Sequence, residues 1–364
     1  MRRSPFVAAL PIVLVAALVG CSGDGGVTSA SSAPGAAEQP ISALRPSTDA
    51  VDLTGPSTAR LERDDVEPLV EPGEATLPTT VTSHDLSGDS EQTVTDTDRV
   101  LALDVSGSLA ATVVGLGLGG HLVGRDVSST FSSVRKLPVV TQDGHSINAE
   151  AVLSLEPDVV LTDGTIGPTD VVEQLRQSGV TVVYVENEPS PEGAAELARQ
   201  TAAALGVPAA GVSLATELAD RIAATEHDVA ALADRASSRP LRIAFLYLRG
   251  TSGVYYLLGE GTGADALATA LGGVDVAEEI GWDGARPMTD EALVAADADV
   301  YLVMTGGLES VGGVDGLLEA KPAVGLTPAG EHRRFVDMAD GQILSFGPRT
   351  PVVLDALARA VYAP

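Results

Sequence analysis

Cysteine is almost absent, since Cys21 is the single thiol in 364 residues. A lone cysteine closes no intramolecular disulfide and builds no thiolate metal cluster, so the fold must stand on its apolar core. Histidine is nearly as scarce: the five stand apart at 84, 121, 145, 227 and 332, with no H-x-x-H or H-E-x-x-H pair to hold a metal ion directly. Basic residues are few, and 22 Lys and Arg against 50 Asp and Glu leave a formal charge of −28, which argues against a nucleic-acid partner and against lying flat on anionic lipid. Also missing are a G-x-S-x-G elbow, a Walker A loop and any nucleophile paired with a base, so the chain reads as no enzyme. Gly115-Leu116-Gly117-Leu118-Gly119-Gly120 fits a dinucleotide fingerprint in letters alone, because it follows a helical pattern rather than a strand. Gly259-Glu260-Gly261-Thr262-Gly263 does lie between strand and helix, but without the rest of that fingerprint it reads as a loop near a cleft.

What is present begins with Arg2 and Arg3, an apolar stretch from Phe6 to Val19, and Gly20 before Cys21. An apolar core of roughly 14 residues falls short of the ~20 that a spanning helix needs. Leu18-Val19-Gly20-Cys21 matches the lipobox of bacterial lipoproteins. That match implies a signal peptide over 1–20, lipid on Cys21, and a chain exported and anchored to the outer face of the cytoplasmic membrane.

From 21 to 76 the chain is rich in Ser, Ala, Gly, Pro, Asp and Glu and has no sustained period, which predicts a disordered acidic tether with at most local packing near Leu53 or Leu69. Beyond it, apolar runs alternate with helical patterns. Val100–Leu103, Asp158–Leu161 and Val180–Val185 read as strands of an N-terminal α/β lobe over 77–207. Val212, Leu214, Leu218, Ile222, Val229 and Leu232 recur at helical spacing, which predicts a linking helix over 208–238. The C-terminal α/β lobe, 239–364, has strands at Arg242–Leu248, Val254–Leu258 and Val300–Met304. The two halves share one plan. Asn148-Ala149-Glu150 leads to Asp158 and its strand, as Thr289-Asp290-Glu291 leads to Asp299 and its strand. The fold class is α/β: two Rossmann-like lobes with parallel sheets joined by a single long helix.

Two such lobes, one long helix and a lipoprotein signal resemble the helix-linked class of ABC-transporter solute-binding proteins, which carry vitamin B12, ferric siderophores or haem. The resemblance runs from about Leu77 to the C-terminus. In that class a Glu at the tip of each lobe pairs with arginines of the permease, and the motif falls on Glu150 and Glu291. Taken alone, each is a first-turn Glu that favours the helix dipole by ~0.3–1 kcal/mol. Gly144-His145-Ser146 and Tyr247-Leu248-Arg249-Gly250 make the chain most similar to haemin-binding lipoproteins of Gram-positive bacteria.

This similarity implies His145 and Tyr247 as the two axial ligands of haem iron, with haem as the transported ligand. The implied partners are an ABC permease, its ATPase, a haem-donating protein or free haem, and the membrane through the lipid. A phenol ordinarily ionises near pH ~10 and needs a neighbouring cation to bind iron as phenolate. Arg249, two residues after Tyr247 on a strand, should emerge on the same face and supply it. Met304 ends a strand as core filling or as a thioether near the porphyrin. Trp282, Arg286 and Arg349 lie in Gly/Pro-rich loops where they could stack on the porphyrin or meet its propionates. The alternative cargo is a ferric siderophore or vitamin B12 on the same fold.

Overall fold

The computed structural model describes residues 39–142 and 145–364. The signal segment 1–20, Cys21 with the following residues to 38, and Gly144 lie outside the described residues. Among the described residues, no helix is long and apolar enough to cross a membrane.

The N-terminal lobe is built on three parallel strands in the order Val100–Leu103, Val159–Thr162, Thr181–Tyr184. They are apolar on both faces because both faces are covered. Val100, Ala102, Val159, Leu161 and Val183 join the helices Ser108–Gly115 and Gly193–Ala204 in one core. Leu101, Leu103, Val160, Val182 and Tyr184 join Ala149–Ser154 and Thr169–Gln177 in another. Every residue of Ser108–Gly115 is buried, which its small and apolar side chains permit.

Pro208–Ala236 is one helix of 29 residues, about 43 Å long at 1.5 Å per residue. Proline opens it, where the missing N–H costs no helical bond. Leu214, Leu218 and Ile222 sit in the N-terminal core, whereas Val229, Leu232 and Ala236 sit in that of the C-terminal lobe. The helix is therefore part of both lobes.

The C-terminal sheet runs in the order Ser57–Thr58, Phe335–Met338, Val300–Met304, Arg242–Arg249, Val254–Leu258, Ala285–Pro287, with Val274–Asp275 also alongside Arg242–Arg249. Its centre is parallel as predicted, but Val254–Leu258 runs antiparallel to Arg242–Arg249, and Ala285–Pro287 antiparallel in turn. The short turn Gly250–Gly253 makes this unavoidable, since a parallel return needs a crossover of a dozen residues.

The repeat is detailed. Asn148 and Thr289 cap their helices by accepting from Ala151 N and Ala292 N, each at 3.1 Å. Asp158 and Asp299 each accept, at 2.8 Å, the backbone N–H of the arginine at the foot of the neighbouring strand, Arg99 or Arg242.

The expected tether over 21–76 needs correction from residue 39 onward. Ser57–Thr58 pairs in parallel with Val336 and Asp337, and Ile41, Ala50 and Ala59 are buried in the C-terminal core. The buried Arg334 donates to Ser57 Oγ at 2.8 Å, Gly55 O at 3.3 Å, Ala360 O at 2.6 Å and Val361 O at 2.8 Å. The segment then crosses to the other lobe. Asp65 Oδ1 accepts from Ser133 N at 2.9 Å, Leu69 N donates to Gly115 O at 2.9 Å, and Val66 is buried in the N-terminal core. This strap lacks periodicity because its backbone is satisfied by a sheet edge and by loops, and its apolar residues enter two cores at irregular intervals. The lobes are thus joined by the long helix and by the strap.

Candidate functional site

Along Arg242–Arg249, Ile243 and Phe245 point into the core beside the last helix, Thr350–Tyr362. Tyr247 and Arg249 continue the same face beyond that cover, half-buried. The arginine folds back so that its guanidinium carbon lies 4.4 Å from the centre of the Tyr247 ring. Its Nη1 donates to Leu248 O at 2.8 Å, and its Nη2 meets Met304 Sδ at 3.5 Å and Asp340 Oδ2 at 3.2 Å. Glycine at 307 leaves room for it, since a Cβ there would stand 2.9 Å from Leu248 O and 3.0 Å from Nη1. No hydrogen bond reaches the Tyr247 hydroxyl among the described residues.

His145 belongs to the other lobe, just before the strand Ser146–Ile147, and its carbonyl accepts from Gly167 N at 3.2 Å. Its Nδ1 is buried without a partner. Burial, and then the positive charge of Arg249, hold the imidazole below its ordinary pKa. A neutral imidazole keeps the lone pair that metals bind. The structure therefore sets a neutral histidine, with an unsatisfied ring nitrogen, in the electrostatic field of the cation that covers Tyr247. Buried unsatisfied groups of this kind call for a partner. One imidazole and one phenol backed by a cation fit a ferric centre with two open axial sites.

The other expected residues divide. Met304 sits at the site through its contact with Arg249. Trp282 and Arg286 are not brought to Tyr247: Arg286 lies opposite Leu257 in the strand register and so shares Leu257's face of the sheet, away from Tyr247. The Trp282 indole N–H is spent on Leu257 O at 3.0 Å, and Arg286 pairs with Asp283 at 3.2 Å. Arg349, expected to meet propionates, is only 2 % exposed. It lies in the seam between the lobes, 5.2 Å from the centre of the Phe131 ring, with Nη2 donating to Gly341 O at 2.6 Å. Burial pushes its pKa down to about 10, and its Nε and Nη1 are buried without a hydrogen-bond partner among the described residues. Glu150 and Glu291 are exposed at the second position of their two equivalent helices, one on each lobe.

Three further residues escaped the sequence. Tyr256 stands directly opposite Tyr247 in the antiparallel register and shares its face, which the adjacent strand pattern allows but cannot fix without the register. Asp340 comes from the far end of the chain. Asp104, at the C-terminal end of the first strand, is fully buried and accepts from Ser108 N at 3.0 Å and Leu109 N at 3.1 Å. Its burial and the nearby carboxylates of Asp163 and Asp126 push its pKa up. Above it, Val105 and Val127 leave 41 % and 42 % of their surface exposed at the edge of the sheet where the strands end.

Comparison with known proteins bears on the family and the fold. The model of the periplasmic binding protein family matches residues 105–340. The crystal structure of haem-binding protein HmuT is 37% identical and superimposes with a TM-score of 0.81, covering 87% of this chain and 100% of that one. The periplasmic haem-binding protein RhuT from Roseiflexus sp. RS-1 is 36% identical with a TM-score of 0.66, over 73% of this chain and 98% of its own. A cobalamin-binding protein of Halobacterium salinarum is 27% identical over 297 residues, 78% of this chain and 73% of that protein.

Proposed function

The chain belongs to the periplasmic binding protein family, and from that premise we propose that it captures ferric haem between its two lobes and hands it to an ABC permease. One observation carries the reading: His145, with an unpartnered Nδ1, and Tyr247, with no hydrogen bond to its hydroxyl among the described residues, come from different lobes, and Arg249 covers the phenol ring while its charge acts on the imidazole. The likeness to HmuT supports it, as do HmuT structures solved with a tyrosine, a histidine or an arginine replaced by alanine.

His145 and Tyr247 supply the axial ligands, and Arg249 stabilises negative charge on the phenol oxygen. Met304 lies beside them, and Val105 and Val127 offer apolar surface for a flat apolar ring. The protein works outside the cytoplasm as a carrier rather than a catalyst. Lipid on Cys21 holds it at the outer face of the membrane, and Glu150 and Glu291 meet arginines of the permease.

Titration of haemin, followed by absorption, tests this in wild type, His145→Ala and Tyr247→Ala. Wild type should bind with defined ligand-to-iron bands, and each variant should lose or shift them; unchanged bands in both variants refute the ligand assignment. The Halobacterium relative makes cobalamin the second reading. Binding of cyanocobalamin in preference to haemin would establish it.

A further inference from the structure

We infer that Asp340 is the positioning residue of the site, holding Arg249 over the ring of Tyr247; this rests on Tyr247 being an iron ligand. Arg249 is a long side chain whose stacked pose must be enforced. Its Nη1 reaches only the carbonyl of its own neighbour, Leu248, and its Nη2 reaches a thioether, a weak acceptor. Asp340, at 3.2 Å, is the contact of opposite charge. The carboxylate is itself fixed, since its Oδ1 accepts from Gly306 N at 2.8 Å.

The helix Asp340–Ile343 is in turn seated against the other lobe at Gly341. Asp340 thus links three segments around the phenol: the strand that carries it, the turn after Met304, and the seam. Without that carboxylate the guanidinium is free to leave the ring for the two propionates of the porphyrin, the nearest anions a bound haem would offer. Asp340 therefore acts through Arg249, and its loss should resemble the loss of Arg249 in kind.

The test uses the whole protein loaded with haemin, in Asp340→Asn, Asp340→Glu, Arg249→Ala and the double variant Arg249→Ala with Asp340→Asn. Absorption of the complex and the rate of haemin transfer to apomyoglobin are read. Asp340→Asn should move the phenolate-to-iron band in the same direction as Arg249→Ala but less far, and speed transfer by about 3- to 10-fold. Asp340→Glu should restore most of both, and Asp340→Asn should add nothing once Arg249 is gone. A crystal structure of ligand-free Asp340→Asn should find the guanidinium off the ring. An unchanged band and rate, a band shift of opposite sign, or the same change in the Arg249→Ala background overturns the inference. If Tyr247→Ala keeps the wild-type spectrum, the ligand assignment fails first and takes the inference with it.

Discussion

Gly341→Ala places one methyl group where the lobes touch. Its Cβ would stand 2.3 Å from Ser128 O and 2.9 Å from Thr130 Oγ1. Carbon and oxygen in weak contact sit at about 3.3–3.6 Å, so the overlap with the carbonyl is about 1 Å. Neither side yields easily. Ser128 is pinned by its Oγ donating to Val105 O at 2.6 Å, and the next residue by Ser129 N donating to Asp126 Oδ1 at 2.6 Å. Gly341 is pinned by Arg349 on its carbonyl at 2.6 Å. Overpacking of this sort costs about 1–3 kcal/mol. The wedge also moves Asp340, so the damage should reach the ligand strand. Urea unfolding of the ligand-free protein should show the loss, and haemin transfer to apomyoglobin should quicken by about 2- to 13-fold if half of that strain is relieved on opening. Gly325→Ala is the control, because its Cβ would meet nothing nearer than Leu318 Cδ2 at 3.6 Å. If Gly341→Ala unfolds and releases haemin like Gly325→Ala, the seam does not hold the site.

Two further outcomes follow from buried charges. Arg334→Met removes the donor that ties the strap to the last helix and leaves Ala360 O and Val361 O without it, so urea unfolding should show a loss of about 2–4 kcal/mol, and a loss below 1 kcal/mol would refute the strap's role. Asp275 is pushed up from 3.8 to about 6, chiefly by burial, so the folded state holds its proton more tightly than the unfolded one. Its contribution is full below about pH 4 and is lost as pH rises through 6, by about 1–3 kcal/mol. Asp275→Asn keeps a carbonyl for the helix cap and should lose that dependence between pH 4 and 7; urea midpoints falling in parallel for both proteins would contradict the burial argument.

The sheets were legible because a strand covered on both faces reads as a near-continuous apolar run, as Val100–Leu103 does. The long helix was legible because one period spans two cores, and the pairing of Tyr247 with Arg249 because alternate residues of a strand share a face. The strap was not, since a segment that borrows hydrogen bonds from a sheet edge needs no pattern of its own. Arg349 was misjudged for a related reason: a loop arginine looks solvated until the fold lays Phe131 across it. Asp340 and Tyr256 depend on register and on contacts far apart in the chain, which composition and spacing do not encode.

The strap and the seam bear on how the site works. A binding protein hinged at one helix can open widely, but here the chain crosses between the lobes twice, and Arg349, Phe131, Gly341 and Ser128 fill the space between. Opening far enough to separate His145 from Tyr247 would strip a buried guanidinium from its aromatic cover and from Gly341 O. The energetically open path is a small shift about the seam. Asp340 and Gly341 are consecutive, so a shift that changes the contact with Ser128 also changes the hold on Arg249. Under the function proposed above, a permease engaging one exposed glutamate on each lobe need not pull the cleft apart, since a slight displacement at Gly341 would loosen the cation over Tyr247.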